Sequence, residues 1–242
     1  MLRVVAALLL LLSSALCGAV EPSQSASEAM QKGDYAVAYH LWIPQARSGD
    51  KVAQYNIGWM YHNGYGLVID DDQARHWWEL SANQGYTEAQ FALAMLYTQG
   101  TRQIKKSLEV AVPYYLDAAR GGHEDARVML LTLFGGPNDR QGHRLAMLLS
   151  EEDWALLGKP LQIKTRRDNL RRDATLEAAI IRTLKQGQQL LEVGIKNKWV
   201  QVIDMDKGSR GWMHASLLEA PSDATPSPPD GPYSSDLDAT LK

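Results

Sequence analysis

The residue types that most often perform catalysis are scattered along this chain of 242 residues. There is no glycine-rich phosphate loop, no Gly-x-Ser-x-Gly nucleophile elbow and no His-Glu-x-x-His pair. No two histidines lie four residues apart beside a carboxylate, so their spacing predicts no metal site. The histidines are His40, His62, His76, His123, His143 and His214. We therefore expect a protein that is not an enzyme and that needs no cofactor.

One acidic run, Asp70-Asp71-Asp72, leaves two interpretations open. Three adjacent carboxylates could hold a divalent cation, because hard cations prefer oxygen ligands. The same charges are typical of the start of a helix, where the helix dipole stabilises them. A helical pattern follows directly, and this favours the second interpretation.

A cationic stretch between residues 160 and 185 holds seven basic against three acidic residues. The whole chain carries a formal charge of −3 with a pI near 6.1, which argues against a general nucleic-acid-binding protein. The stretch could meet an anionic cell-wall polymer or lipid headgroups, or it could be a solvated surface without a ligand. The candidate contacts are Arg166, Arg167, Arg171 and Arg172.

A self-similarity with a period of 36 to 37 residues defines the elements in the first half of the chain. The recurring positions are Ala38, Ala74 and Ala111; Trp42, Trp78 and Tyr115; Ala53, Ala89 and Ala126; and Tyr61, Tyr97 and Phe134. Within each copy the anchors lie four residues apart, on one helical face. Two such helices per period predict a helix–turn–helix unit that buries its face by stacking on the next. We expect Trp59 and Trp78 in that core, whereas Trp77 could line a peptide-binding groove.

The best copy runs from Ala53 to Gly85 and contains Gly64-Tyr65-Gly66-Leu67, then Asp70, then Ser81-Ala82-x-x-Gly85. This pattern resembles the Sel1-like (Sel-one-like) repeat family, a relative of the tetratricopeptide repeats. The resemblance implies an α-solenoid that holds a protein partner on its surface rather than an enzyme. The next copy departs from the pattern, with Ala94 and Arg102 where glycines are expected.

From Gln162 to Leu218 the pattern changes to short alternating strands, which predict a small β-barrel. Trp199-Val200-x-Val202 and Gly211-Trp212-Met213-His214 are similar to the central and closing strands of the bacterial Src-homology-3 family. The segment Asp173-Ala174-Thr175-Leu176 departs from that family's usual loop. The resemblance implies a peptide or a cell-envelope ligand such as peptidoglycan. The candidate contacts are Trp199, Trp212 and His214, and we expect one tryptophan beneath the barrel and the other partly exposed.

The first 19 residues have the composition of a cleaved secretory signal, with Arg3, an apolar stretch from Val4 to Leu12, and a small-residue site ending at Ala19. The apolar stretch is shorter than the roughly 20 residues needed to cross a bilayer. We therefore expect no transmembrane segment after cleavage. Cys17 could instead be a lipid-attachment cysteine.

These patterns predict a multidomain chain of α plus β class, an α-solenoid of helix–turn–helix repeats followed by a small Src-homology-3-like β-barrel. The predicted ranges are 1–19 for the signal peptide, 26–135 for the repeats, 136–160 for capping helices and a linker, 161–220 for the barrel, and 221–242 for a disordered tail rich in Pro, Ser and Asp.

The preferred function is a non-catalytic adaptor in the periplasm or outside the cell. Its repeats would bind a protein partner, and its barrel would bind a peptide or cell-envelope component. Two alternatives remain open. One is an accessory or targeting subunit of a cell-wall hydrolase, and the other is a secreted factor that acts on a host.

Overall fold

The computed structural model describes residues 22–134 and 139–221, which belong to two compact units divided between His123 and Glu124. We call them the repeat unit and the sheet unit. The predicted signal peptide and, beyond residue 221, the predicted tail lie outside the described residues. None of the helices within the described ranges has the length and apolar character needed to cross a bilayer.

The repeat unit is built from helices that pack on one another in chain order, which confirms the predicted helical repeat region. They are α1 (Pro22–Lys32), α2 (Tyr35–Arg47), α3 (Lys51–Asn63), α4 (Asp71–Ala82), α5 (Thr87–Gln99) and α6 (Leu108–Arg120). Helix α3 starts where the Asp50 carboxylate accepts a hydrogen bond from the Ala53 N–H at 2.7 Å. It ends at Gly64, whose φ of 71° suits glycine.

The recurring anchors form the interior of the repeat unit. The alanines at 38, 74 and 111 are fully buried, and so are the large rings that follow them four residues later. A Cβ atom at Gly58 would lie 2.5 Å from Cδ1 of Trp78, so only glycine fits beside this indole. In the next repeat the corresponding residues are Ala94 and Tyr115, both buried. Glycine is therefore paired with the larger ring, that of Trp78, and alanine with the smaller ring, that of Tyr115, as close packing requires.

Trp59 does not follow the prediction. Its side chain is 39% exposed, so its assignment to the core is wrong. The reason is rotational: each residue turns the side-chain direction by about 100° around a helix. Trp59 follows directly after Gly58, which packs on Trp78, and therefore points away from that contact.

The sheet unit contains three α-helices and a seven-stranded antiparallel sheet among its described residues. The helices are α7 (Glu124–Thr132), α8 (Asp139–Ala146) and α9 (Glu151–Leu157). The strands are β1 (Lys159–Ile163), β2 (Arg167–Arg171), β3 (Ile180–Lys185), β4 (Gln189–Lys196), β5 (Trp199–Asp204), β6 (Arg210–His214) and β7 (Leu218–Glu219). Their order in the sheet is β3-β2-β6-β5-β4-β1-β7. Ser150 and Asp153 form a capping box at the start of α9.

One face of the sheet encloses an apolar core. Its members are Leu161, Ile163, Leu170, Leu184, Leu190, Val200, Val202 and Met213. Leu191 and Ile203, which lie opposite each other on the other face, are also fully buried. Helices of the same unit approach this second face: Gly158, after α9, lies so close that a Cβ atom there would be 3.2 Å from Leu191 Cγ.

Helix α8 also approaches the sheet closely, because a Cβ atom at Gly142 would lie 2.7 Å from the carbonyl oxygen of Gly208. His143 Nδ1 lies 2.9 Å from the carbonyl oxygen of Asp206. The sequence did not indicate these contacts. The predicted limits of the repeats, the capping segment and the barrel stay predictions.

Candidate functional site

An outward-facing strip on the sheet brings together several of the predicted ligand contacts. Trp199 on β5 lies directly opposite His214 on β6, with ring centroids 5.7 Å apart and planes at 86°. Next to this pair, Trp212 lies opposite Gln201 on one side and Arg171 on the other. We call these five residues the aromatic strip. Directly opposed residues share a face, so three strands contribute to one surface.

Neither tryptophan of the aromatic strip is buried. Both Trp199 and Trp212 are half-buried, so the expectation of one ring beneath the barrel is wrong. The register explains this: side chains alternate between the faces of a strand, and Val200 and Met213 take the inward positions.

Hydrogen bonds hold the polar members of the aromatic strip in place. Arg171 donates from Nη1 to the carbonyl oxygen of Ala178 at 2.9 Å. Gln201 accepts a hydrogen bond at Oε1 from Nη2 of Arg210 at 2.8 Å. Burial lowers the pKa of Arg210. The strip can therefore offer aromatic faces, hydrogen-bonding groups and a positive charge to one ligand.

A second surface lies at the other end of β2. Arg166, Arg167, Lys185 and Gln186 line an open depression of about 790 Å³, which we call the basic depression. Arg167 and Lys185 lie directly opposite each other in the β2–β3 ladder. The strand geometry separates Arg167 from Arg171 by about 13 Å, at roughly 3.3 Å per residue.

The predicted cationic stretch is thus divided by the fold. Arg171 joins the aromatic strip, Arg166 and Arg167 join the basic depression, and Arg172 is exposed and lines neither surface. A fifth arginine of the stretch, Arg182, has a structural partner.

Arg182 donates to the carboxylate of Asp204 at 3.1 Å. Asp204 is fully buried, and this burial raises the pKa of its carboxyl group, although hydrogen bonds from Gln188 and the charge of Arg182 act in the opposite direction. Gln188 donates to the second carboxylate oxygen at 3.0 Å. This network orders the β3–β4 and β5–β6 connections.

On the repeat unit, the exposed ring of Trp59 begins an aromatic ridge that the sequence did not indicate. Trp59 lies 6.4 Å from Tyr55 on the same helix, and Tyr55 lies 5.4 Å from Tyr86, the residue just before α5. Burial is the main cause that raises the pKa of both tyrosines, and the charge of Glu88 adds to it. We define the aromatic ridge as Trp59, Tyr55 and Tyr86.

Trp77, the residue predicted to line a groove, is partly buried against the core cluster of α1 to α3. Its ring lies edge-on to His76 at 5.7 Å. Its binding role stays a prediction. The signal that could have pointed to Trp59 instead is its position two residues before the anchor Tyr61, which takes it off the helical face that the anchors share.

The acidic run at 70–72 has helix-forming partners. The Asp70 carboxylate accepts hydrogen bonds from the N–H groups of Asp72 and Gln73, at 3.1 and 3.0 Å, and caps α4. Asp71 lies 2.7 Å from Nδ1 of His62. The helix-start interpretation is confirmed. Within the described ranges, no group of three or more His, Cys, Asp or Glu residues could hold a metal ion.

The comparisons with known proteins concern the repeat region. The family model for the Sel1 repeat matches residues 51–86 and 87–123. A Sel1-like repeat-containing protein of Acanthamoeba polyphaga mimivirus is 35% identical over 86 residues, which are 36% of this chain and 15% of that protein. The chain thus matches a small part of this relative. Residues 51–123 are Sel1 repeats, and such repeats generally mediate protein–protein interactions in typically non-catalytic proteins.

Two solved structures are also similar. A crystal structure of a Sel1 repeat protein from Oxalobacter formigenes has 27% identity and a TM-score of 0.43, and covers 56% of this chain and 59% of that one. The second is a protective antigen present in uropathogenic Escherichia coli strains, which displays an SLR fold. It has 26% identity and a TM-score of 0.40, and the alignment covers 51% of this chain and 24% of the antigen.

Proposed function

We propose that this protein is an exported, non-catalytic adaptor with two binding domains. Its Sel1 repeats hold a protein partner, and its C-terminal sheet, which resembles the bacterial Src-homology-3 family in sequence, binds a peptide or a cell-envelope component such as peptidoglycan. The observation that carries the proposal is the presence of outward aromatic residues on both units. Exposed aromatic rings are enriched in binding surfaces.

On the repeat unit, the aromatic ridge is the surface that fits a protein partner. Its three residues lie within the Sel1 repeat at residues 51–86, and Val52 lies on the same helix as Trp59, seven residues before it and 37% exposed. Two residues seven apart lie on the same side of a helix. The ridge is therefore an apolar stripe with hydroxyl groups at its edge, which suits an apolar anchor of the partner.

On the sheet unit, the aromatic strip is the surface that fits the envelope ligand. Trp199, Trp212 and His214 offer apolar faces, while Arg171 and Gln201 offer donors. Sugar rings and peptide side chains both present apolar patches between polar groups. A strip of this composition suits either of them.

The partner-binding role can be tested by crosslinking the purified protein in periplasmic extract and identifying what it captures. Trp59→Ala should remove a specific captured protein, because the ring that anchors it is lost. The matched control is Leu80→Ala, since Leu80 is 38% exposed and Trp59 is 39% exposed. Capture that is identical for both variants and the unsubstituted protein would contradict the assignment to the ridge.

A further inference from the structure

We propose that the basic depression is a separate binding site for a ligand that carries phosphate groups. This inference deepens the proposed binding role of the sheet unit, because it adds a second site and a chemical class of ligand. It rests on the residues at the junction of β2 and β3 and does not use the aromatic strip.

The first argument is uncompensated charge. Arg166, Arg167 and Lys185 line the depression, and the fourth lining residue, Gln186, is neutral. Within the described part of the chain, none of these three cations forms an ion pair. Lys164, just before the depression, is exposed as well. The surface therefore gathers positive charge without an acidic partner of its own.

The second argument is the close approach of like charges. Arg167 and Lys185 lie directly opposite each other in the antiparallel ladder, so their side chains leave the same face. Like charges in this position destabilise a sheet. A bound anion between them would turn the repulsion into two attractions.

The third argument is that the backbone holds the lining residues in place. The Gln186 N–H donates to the carbonyl oxygen of Arg166 at 3.3 Å, and its side-chain amide donates to the carbonyl oxygen of Lys164 at 3.1 Å. The Gly187 N–H donates to the carbonyl oxygen of Ile163 at 2.9 Å, with a φ of 77° at this glycine. Little ordering of the backbone is therefore needed when a ligand binds.

Phosphate fits this set of donors better than carboxylate does. A phosphate monoester carries about −1.5 to −2 charges and three acceptor oxygens. Two guanidinium forks and an ammonium group can satisfy these oxygens together, whereas a carboxylate offers two oxygens and one charge. The depression of about 790 Å³ also has room for more than one phosphate group.

The test uses isothermal titration of the purified protein with inorganic pyrophosphate at about 0.15 M ionic strength, where exposed charges more than about 8 Å apart are largely screened. We expect binding, and we expect the double variant Arg166→Gln/Arg167→Gln to weaken it by at least about tenfold. The control is Lys198→Gln/Lys207→Gln, which removes the same charge from exposed positions of the same unit. The control should change the Kd by less than about twofold. Equal weakening by both double variants would overturn the site, because only overall charge would then matter.

Two further arms define the ligand. Citrate should bind at least about tenfold more weakly than pyrophosphate, and equal binding would overturn the choice of phosphate. The protein is also mixed with phosphatidylcholine vesicles that contain phosphatidic acid. If the protein binds these vesicles and pyrophosphate releases it from them, the phosphate belongs to a lipid headgroup. If pyrophosphate binds and the vesicles do not, the phosphate belongs to a soluble compound or a polymer. The proposal is overturned if neither probe binds at about 0.15 M ionic strength.

The proposed site and the proposed function can fail separately. Trp212→Ala should leave pyrophosphate binding unchanged, because Trp212 lies in the aromatic strip and not in the depression. Circular dichroism spectra and melting temperatures of all variants show whether each is folded.

Discussion

The repeat unit and the sheet unit use tryptophan in opposite ways. In the repeats, Trp42 and Trp78 recur at the helical anchor positions, and each is only 2% exposed. In the sheet, Trp199 and Trp212 take the outward positions of two neighbouring strands and are half-buried. The register of the element, and not the residue type, decides whether an indole stabilises the fold or is available to a ligand.

The largest expected difference between the two units follows from removing one tryptophan ring from each. Trp78→Ala should lower the free energy of unfolding by about 3–5 kcal/mol, because it leaves a large cavity. Trp212→Ala should cost less than about 2 kcal/mol, since its ring is partly hydrated in the folded protein. Urea unfolding followed by far-UV circular dichroism measures both. Equal losses would contradict the different roles.

A second prediction concerns the packing of Gly58 against Trp78 in the repeats. Gly58→Ala should cost about 1–3 kcal/mol from overpacking against Trp78, offset in part by up to about 1 kcal/mol of helix propensity. In a Trp78→Tyr background the sign should reverse, because glycine then leaves a space that alanine fills, as in the next repeat. A double-mutant cycle by urea unfolding measures the coupling. An identical effect of Gly58→Ala in both backgrounds would show that the two positions are independent.

A smaller, pH-dependent effect concerns the sheet unit. Burial raises the pKa of Asp204 above its ordinary value of 3.8, so the folded protein holds this proton more tightly than the unfolded chain does. The resulting stabilisation is complete below that value and is lost as the pH rises through the folded-state pKa. The unsubstituted protein should therefore lose stability relative to Asp204→Asn as the pH increases from about 4 towards 7.

Urea unfolding of both proteins across this range checks the direction. Glu192, whose pKa is also raised by burial, is present in both proteins and cancels in the difference. A difference that is constant with pH, or that moves in favour of the unsubstituted protein, would contradict the raised pKa.

Much of the repeat unit could be predicted from the sequence because its buried positions depend on the spacing of residues that are close in the sequence. Small and large anchors recur at a fixed period, so the sequence of each helix indicates which of its faces is buried. The prediction for Trp59 is wrong because it places this residue in an anchor row, whereas the residue lies outside the anchor rows and is 39% exposed. Its exposure follows from helix geometry: it lies two residues before the anchor Tyr61, so its side chain is turned by about 200° from that anchor.

The sheet unit was harder to predict because its surfaces depend on pairing between distant strands. Alternation in the sequence located β5 and β6, yet it could not show which face each tryptophan takes. The sequence predicts one surface for the cationic stretch, but the fold divides it. Arg182 pairs with Asp204, which lies 22 residues away, and Arg171 lies opposite Trp212 on the neighbouring strand. The burial of Leu191 and Ile203 likewise depends on tertiary contacts that no periodicity records.

The most direct test of the adaptor is co-sedimentation of the full protein with purified peptidoglycan sacculi, which contain both glycan strands and crosslinking peptides. We predict that the protein pellets with sacculi, and that Trp199→Ala/Trp212→Ala moves it to the supernatant while it remains folded. The exposed Leu176→Ala variant, outside the aromatic strip, should pellet as the unsubstituted protein does. If the unsubstituted protein stays in the supernatant at every salt concentration, binding of the cell wall by this sheet is wrong.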